Sequence, residues 1–478
     1  MGNCSTVRSL CRAALLLAGA LGAAGVTAET RIEPRIGVGA AWVSNVLLAP
    51  PGQDTQDDWV GEIKPGITVT HDSSRLEFDL DYDLQALYYA DNGDYDDYFN
   101  DFVGSGVAEL VKDRLFVDLD GRYEQRNVDP AGRAVTSNLY RSGNRTDLGS
   151  WQVSPWYRQP FGDVAEATLR YTYGQYNFRN TDPGVQDLPR GNVQDSDQQR
   201  LDVGIGSPED ATGWTWRVDY LSNSVDYDDS PDYEYERAGA EVGMPLGKRN
   251  HLLLAAGRES DFESDQSQGG LDSDWWNVGW RWAPTARQTL EARVGDRFWG
   301  NDYLFSWKRK GSRGDLALDY AERPATFGAL QFGEEGGGIY GRTDTSIYVS
   351  KRLSGTMTWD APRSDWRLQV YWDQRDYFDD AGQDDTFTED EEYVGVLAGT
   401  RWQAFARTRI DVDARWYERR LVQGDVGTVE LSLALVRDIT PQLEARLAGT
   451  WTEQSADAGV YDEFDAATAF LGIVWRRR

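Results

Sequence analysis

The sequence predicts an all-β fold: a transmembrane antiparallel up-and-down β-barrel of about 22 strands, bounded at roughly 18 and 24. Three observations carry that prediction. From about residue 35 to the C-terminus, segments of roughly ten residues alternate apolar and polar side chains, the period of a strand with two different faces. The connections between segments are short and long by turns. Aromatic residues (Trp42, Trp59, Tyr88, Trp151, Trp156, Trp402 and Trp475) gather near segment ends, where the interfaces of a bilayer would lie.

Composition narrows the alternatives. The 478 residues carry 79 acidic against 49 basic side chains, a net charge of −30 that lacks the basic footprint nucleic acid needs. Two His and two Cys leave too few donors for most zinc, haem or iron–sulfur sites, so no cofactor is expected. An aromatic content of 12% separates the chain from disordered acidic segments. A mean hydropathy of −0.60 separates it from helical membrane proteins.

The first element is a leader for export. Arg8 and Arg12 precede the apolar stretch Ala13 to Gly25, and Val26-Thr27-Ala28 supplies the small residues a signal peptidase reads. Residues 1–28 are therefore expected as a cleaved signal peptide; the apolar run is too short and too rich in Ala and Gly for a comfortable membrane anchor. Cys4 and Cys11 both fall before the cleavage point, which leaves the mature chain without thiol or disulfide chemistry. Residues 29–35 are expected as a short periplasmic segment, leaving no room for a separate plug domain. The barrel is expected over 36–475, with 476–478 as a basic periplasmic tail.

The strands follow. Leu76, Phe78, Leu80, Tyr82 and Leu84 alternate with Glu77, Asp79, Asp81 and Asp83. Ile410, Val412, Ala414 and Trp416 alternate in the same way with Asp411, Asp413 and Arg415, and Leu290, Ala292, Val294 and Phe298 with Glu291, Arg293 and Arg297. Trp276, Val278, Trp280 and Trp282 share one face of another segment. Short turns such as His71 to Ser74, Lys112-Asp113 and Leu246 to Lys248 mostly take turns with longer acidic loops such as Ala90 to Asp97, Asn127 to Arg145 and Phe378 to Asp390. The short link Trp299 to Asn301 breaks the rhythm. A soluble propeller or sandwich would explain the alternation but not the long strands or the rhythm. Periplasmic turns and external loops explain all three, and an even strand count places both termini in the periplasm. The implied location is the outer membrane of a Gram-negative cell, with lipid and the barrel-assembly machinery as partners.

Such a barrel encloses open water, inward-folded loops, or both. Glu77, Asp79, Asp81 and Asp83 form an acidic row on the expected wet face, while Arg122, Arg170, Arg217, Arg293, Arg297, Arg415 and Arg446 supply cations. Of these, Glu77, Asp79, Asp81, Asp83, Arg122, Arg293, Arg297 and Arg415, together with Asp411 and Asp413, are the candidate lumen-lining residues. Two readings stay open: ordinary solvation with charges pairing across strands, or a charged passage that orients a polar solute, such as a saccharide.

Catalytic chemistry finds little support. An outer-membrane barrel hydrolase needs a His or comparable base, and the two His, His71 and His251, both sit beside expected periplasmic turns on different hairpins. No catalytic residue is assigned. The acidic stretches Asp91 to Asp97 and Asp379 to Asp385 have the oxygen density that calcium prefers, yet neither matches the twelve-residue helical calcium loop. Both are read as solvated loops, and no metal site is assigned.

Several stretches, in order along most of the mature chain, resemble the outer-membrane β-barrel family associated with the PEP-CTERM/exosortase system. They include Arg35-Ile36-Gly37-Val38-Gly39-Ala40 with Ser44-Asn45-Val46, Asp57-Asp58-Trp59 leading to Ile63-Lys64-Pro65-Gly66-Ile67, and Leu84-Gln85-Ala86-Leu87-Tyr88-Tyr89. Others are Ala108-Glu109-Leu110-Val111-Lys112-Asp113, Gly143-Asn144-Arg145-Thr146, Arg297-Phe298-Trp299-Gly300-Asn301 and Ser350-Lys351-Arg352-Leu353-Ser354. The resemblance implies a porin-like barrel linked to exopolysaccharide export or protein sorting, and it carries no catalytic or binding residues across. One departure is the end of the chain: Trp475 is followed by three arginines, where such barrels finish on an aromatic residue.

The function expected from these readings is a non-enzymatic pore or conduit for a polar solute such as a polysaccharide. A non-conducting structural or surface-assembly barrel is the alternative, and a barrel hydrolase ranks third.

Overall fold

The computed structural model describes residues 29–477 apart from 128–131, 180–194, 209–210, 212, 229–231, 261–272, 326–347, 378–387, 422–423 and 458–462. The expected signal peptide and the acidic stretch at 379–385 lie outside the described residues.

Twenty-two strands form among the described residues. The first eight are β1 (Glu29–Val43), β2 (Asp58–Asp72), β3 (Leu76–Tyr89), β4 (Asp97–Val111), β5 (Leu115–Asn127), β6 (Arg145–Phe161), β7 (Ala165–Arg179) and β8 (Ser196–Gly206). Then come β9 (Thr215–Tyr227), β10 (Tyr233–Pro245), β11 (Asn250–Ser260), β12 (Ser273–Thr285), β13 (Gln288–Arg297), β14 (Gly300–Lys310) and β15 (Asp315–Ala325). The last seven are β16 (Tyr348–Ala361), β17 (Ser364–Tyr377), β18 (Thr388–Phe405), β19 (Thr408–Leu421), β20 (Gly424–Asp438), β21 (Leu443–Ala456) and β22 (Phe464–Arg476).

Each strand pairs antiparallel with its neighbour in the chain. The last pairs with the first, from Arg35 opposite Arg476 to Val43 opposite Thr468. The sheet is thus a closed 22-stranded barrel, and closure leaves no strand edge along the wall. β1 begins at Glu29, earlier than the alternation near residue 36 suggests. Ile32, Pro34, Ile36 and Val38 continue one face, and the strand pairs with β2 from Glu29 opposite Asp72. Residues 29–35, expected as a lead-in, are therefore the first half of a strand.

Connections at one end of the barrel are mostly tight turns; residues 73–75, 112–114, 162–164, 246–249, 362–363 and 406–407 are examples. Three of them use positive-φ backbone, at Asp113 (φ 56°), Gly162 (φ 59°) and Gly247 (φ 132°). The other end carries the longer connections, with the short link at 298–299 as an exception among the described residues. These are called the turn end and the loop end below.

The two faces differ as the alternation requires. Along β20, Leu431, Leu433 and Leu435 are 45%, 56% and 42% exposed on the outside, while Glu430, Ser432 and Ala434 point inward between them. Trp276, Val278 and Trp280 of β12 likewise face outward. An apolar outer belt on a sheet whose backbone groups are paired is the only β-structure lipid accepts. The buried apolar core lies inside the barrel, against one part of its wall.

Candidate functional site: a half-filled lumen

The lumen is occupied on one side by two connections from the loop end. Val46 and Leu48, from the β1–β2 connection, and Val135, Leu139 and Tyr140, from the β5–β6 connection, are buried together. They pack on the inward side chains Ala41, Val43, Val60, Leu87, Tyr89, Phe99, Phe464 and Ala466 of β1 to β4 and β22. Burying roughly a dozen apolar side chains there supplies what loop chains usually lack, enough hydrophobic stabilisation to hold one place. Leu48 sits in left-handed backbone (φ 54°), a costly conformation for a branched residue, and is held there with its side chain fully buried.

Polar contacts fix the loops at their edges. The Tyr89 hydroxyl donates to the Leu139 carbonyl at 2.9 Å, and Asn138 Nδ2 donates to Gln85 Oε1 at 2.8 Å. On the β20–β21 side, Thr136 Oγ1 donates to Glu430 at 2.8 Å, while Gln454 accepts from the Ala134 amide at 3.2 Å and donates to the Gly132 carbonyl at 3.3 Å. Arg141 pairs with Asp97 at 3.2 Å and lies over the rings of Tyr89 and Phe99. The acidic stretch at 91–97 is held in place: the Asp58 carboxylate accepts the amides of Ala90, Asp91 and Asn92, each at 3.1 Å.

The sequence-predicted lumen residues sit on four separate stretches of wall, and no single site gathers them. In β3, Asp81 and Asp83 both reach Arg35 of β1, at 2.6 and 2.8 Å, and Lys64 lies 3.3 Å from Asp83. Asp79 and Glu77 continue that row toward the turn end, opposite Thr70 and Asp72. Arg122 of β5 is 3.6 Å from Glu124. In β19, Asp411 pairs with Arg409 at 3.2 Å, Asp413 with Arg367, and Arg415 with Glu430 at 3.3 Å. The acidic row is thus partly neutralised by basic side chains on β1 and β2.

Arg293 and Arg297 of β13 line a cavity of about 1080 Å³ enclosed by the inner faces of β6 to β15. This arc faces the wall that carries the inward loops. Most cationic side chains of the cavity are matched: Arg170 to Asp118 at 2.8 Å, Arg200 to Asp202 at 2.9 Å, and Arg293 to Glu241 at 2.5 Å. Arg297 is buried against Glu259, donates to the Tyr235 hydroxyl at 2.8 Å, and lies 4.1 Å from the Trp299 ring centre. Arg237 differs. Its guanidinium lies 3.9 Å from the centre of the Trp275 ring. Among the described residues it has no carboxylate in ion-pair contact, and its Nε is buried without a hydrogen-bond partner.

Arg237, Trp275 and Glu259 were not singled out in the sequence, although Tyr233, Tyr235 and Arg237 share one face of an alternating stretch. That period places Arg237 inside, but nothing in it shows whether an anion awaits there. His71 and His251 lie in β2 and β11, both close to the turn end. His71 stacks on Phe78, its centroid 5.3 Å away, and hydrogen-bonds with Thr30 Oγ1 at 2.7 Å. Among the described residues no group of three or more His, Cys, Asp or Glu is arranged to hold a metal ion.

No protein-family model matches the chain, and no curated protein matches it. Solved structures do. The FrpB iron transporter from Neisseria meningitidis matches with a TM-score of 0.51 at 9% identity, covering 94% of this chain and 83% of that one. The siderophore receptor PirA from Acinetobacter baumannii matches with a TM-score of 0.48 at 8% identity, over 95% of this chain and 81% of that one. At such identities the likeness is one of fold, and the fold is an outer-membrane-type barrel of 22 antiparallel strands.

Proposed function

We propose that this barrel is a non-enzymatic outer-membrane pore for a polar solute, with its loop end outside the cell and both termini in the periplasm. The observation that carries the reading is the cavity of about 1080 Å³ beside the inward loops. It is lined by charged and aromatic side chains on rigid strands, the setting in which a passage selects by charge and shape. The path runs along β6 to β15, because the opposite wall is covered by the two loops.

The acidic excess of the loop end and the basic residues of the turn end (Lys248, Arg249, Arg287, Arg313, Arg363 and Arg407) support that orientation, with the acidic loops forming the outer mouth. The resemblance to PEP-CTERM-associated barrels points to surface polysaccharide as the setting, and residues 1–28 serve as the export signal. A hydrolase is disfavoured by His71 and His251, which lie on separate hairpins near the turn end. The inward loops favour a second reading, a scaffold barrel whose lumen is closed by its own chain.

Planar-bilayer conductance of the refolded protein separates the two. Steady unitary steps with a defined reversal potential under a salt gradient are the expected result. Silence from a protein that migrates as a heat-modifiable folded barrel would establish the scaffold reading instead.

A further inference from the structure

We propose that the Arg237–Trp275 pair is a binding site for the oxyanion of an acidic solute, a carboxylate or phosphate group, inside the lumen near the loop end. The inference rests on the pore reading for its purpose but not for its test. It begins from an imbalance. The chain carries a net charge of −30, and the other cavity arginines named above each have a carboxylate within reach. Arg237 faces the same cavity without one among the described residues.

The surrounding anions explain why it stays unmatched. Glu259 is engaged by Arg297 through both Nε and Nη2. Asp302 acts electrostatically on Arg297 and Arg237 together but makes ion-pair contact with neither among the described residues. The Arg237 guanidinium carbon lies over the Trp275 ring, 3.9 Å from its centre, a cation–π contact that restricts where the side chain can go. An arginine restricted in that way offers its N–H fork to a planar or tetrahedral oxyanion with little further ordering cost. A partly desolvated guanidinium gains more from such an anion than a fully hydrated one does, since water screens the interaction less. The site is also wide enough for a ligand that carries the anion, because it opens on the large cavity rather than on a closed pocket.

Ligand-detected NMR or calorimetry on the refolded, detergent-solubilised barrel tests this without requiring conduction. The probes are glucuronate, glucose 6-phosphate and glucose, which share a ring and differ in the anion. Wild-type protein should bind at least one of the two acids about tenfold more tightly than glucose, and R237Q should bring that acid to the level of glucose. R237K should retain part of the preference, as a point charge without the fork. Preference for glucuronate identifies a carboxylate site, and preference for the sugar phosphate a phosphoryl site. Equal binding of acids and glucose, or an undiminished preference in folded R237Q, overturns the proposal. Charge-selective binding by a barrel that conducts nothing would remove the pore reading and leave this site standing; conduction without that selectivity would do the reverse.

Discussion

Tyr89, on the inner wall of β3, donates its hydroxyl to the backbone carbonyl of Leu139 at 2.9 Å, and so ties a connection from the loop end to the lumen wall. Both residues belong to the same buried apolar cluster, which makes the bond part of a core and not an isolated clasp. Removing the hydroxyl in Tyr89→Phe should loosen residues 134–141 by about 1 kcal/mol, the net worth of one such bond. Amide hydrogen exchange across that stretch measures it. Unchanged protection would mean that the apolar contacts alone hold the loop.

Leu48 offers a sharper test because two principles oppose each other there. Truncation to Ala should cost about 2–5 kcal/mol of loop docking by emptying a buried position. A Gly at an ordinary buried site would cost more than Ala. At Leu48 the left-handed backbone (φ 54°) favours Gly, so Leu48→Gly should cost no more than Leu48→Ala. The usual order of the two variants, read by exchange or by proteolysis of the loop, would refute the strain assigned to this residue.

Deleting residues 133–142 and joining the ends with Gly and Ser should widen the passage while leaving the barrel intact. Single-channel conductance is expected to rise severalfold, with heat-modifiable migration retained. An unaltered conductance would place the permeation path wholly outside the volume these residues fill.

The outer belt makes a prediction independent of transport. Leu433, 56% exposed on the outside, should tolerate Arg poorly, at a cost of about 2–4 kcal/mol if it lies near the bilayer midplane. Its neighbour Ser432 points inward, and Ser432→Arg should cost well under half as much. Equilibrium folding into lipid vesicles compares the two. Equal penalties would contradict the assignment of faces.

Neutralising Asp81 and Asp83 together should do more than delete negative charge, because both hold Arg35. The double Asn variant leaves Arg35 and Lys64 unbalanced, so selectivity should move toward anions, by more than Asp79→Asn moves it. Reversal potentials under a salt gradient report the shift, and a larger effect from Asp79→Asn would show that the pairing does not set the local field.

The barrel itself was legible because its signal is local. Period-two alternation needs no knowledge of partners, and the alternating stretches from Leu76 to Leu84 and from Ile410 to Trp416 lie within β3 and β19. β1 was read short because Arg31 and Glu33 on one face and Pro34 on the other look like a tail until Asp72 is seen opposite Glu29. The inner architecture was not legible. Leu139 meets Tyr89, and Gln454 meets Gly132, through separations that no periodicity encodes. The candidate lumen residues could be placed on a face but not grouped, since grouping depends on which strands curve to meet across the interior. Arg237 is the clearest instance: its inward position follows from the pattern, and its want of an anion follows only from the chemistry of β11 and β14.

The junction between β1 and β22 joins residues from the two extremities of the chain, so it is a contact whose formation must overcome the loop entropy of nearly the entire polypeptide. At its loop end Asn45 Nδ2 donates to the Asp465 carbonyl at 3.0 Å, while the Ser44 amide donates to the Ala467 carbonyl at 2.9 Å. At its turn end the Arg477 amide donates to the Pro34 carbonyl at 3.0 Å. The same connection that carries Val46 and Leu48 into the interior therefore also laces the closing seam, so that lining the lumen and closing the cylinder depend on one segment of chain.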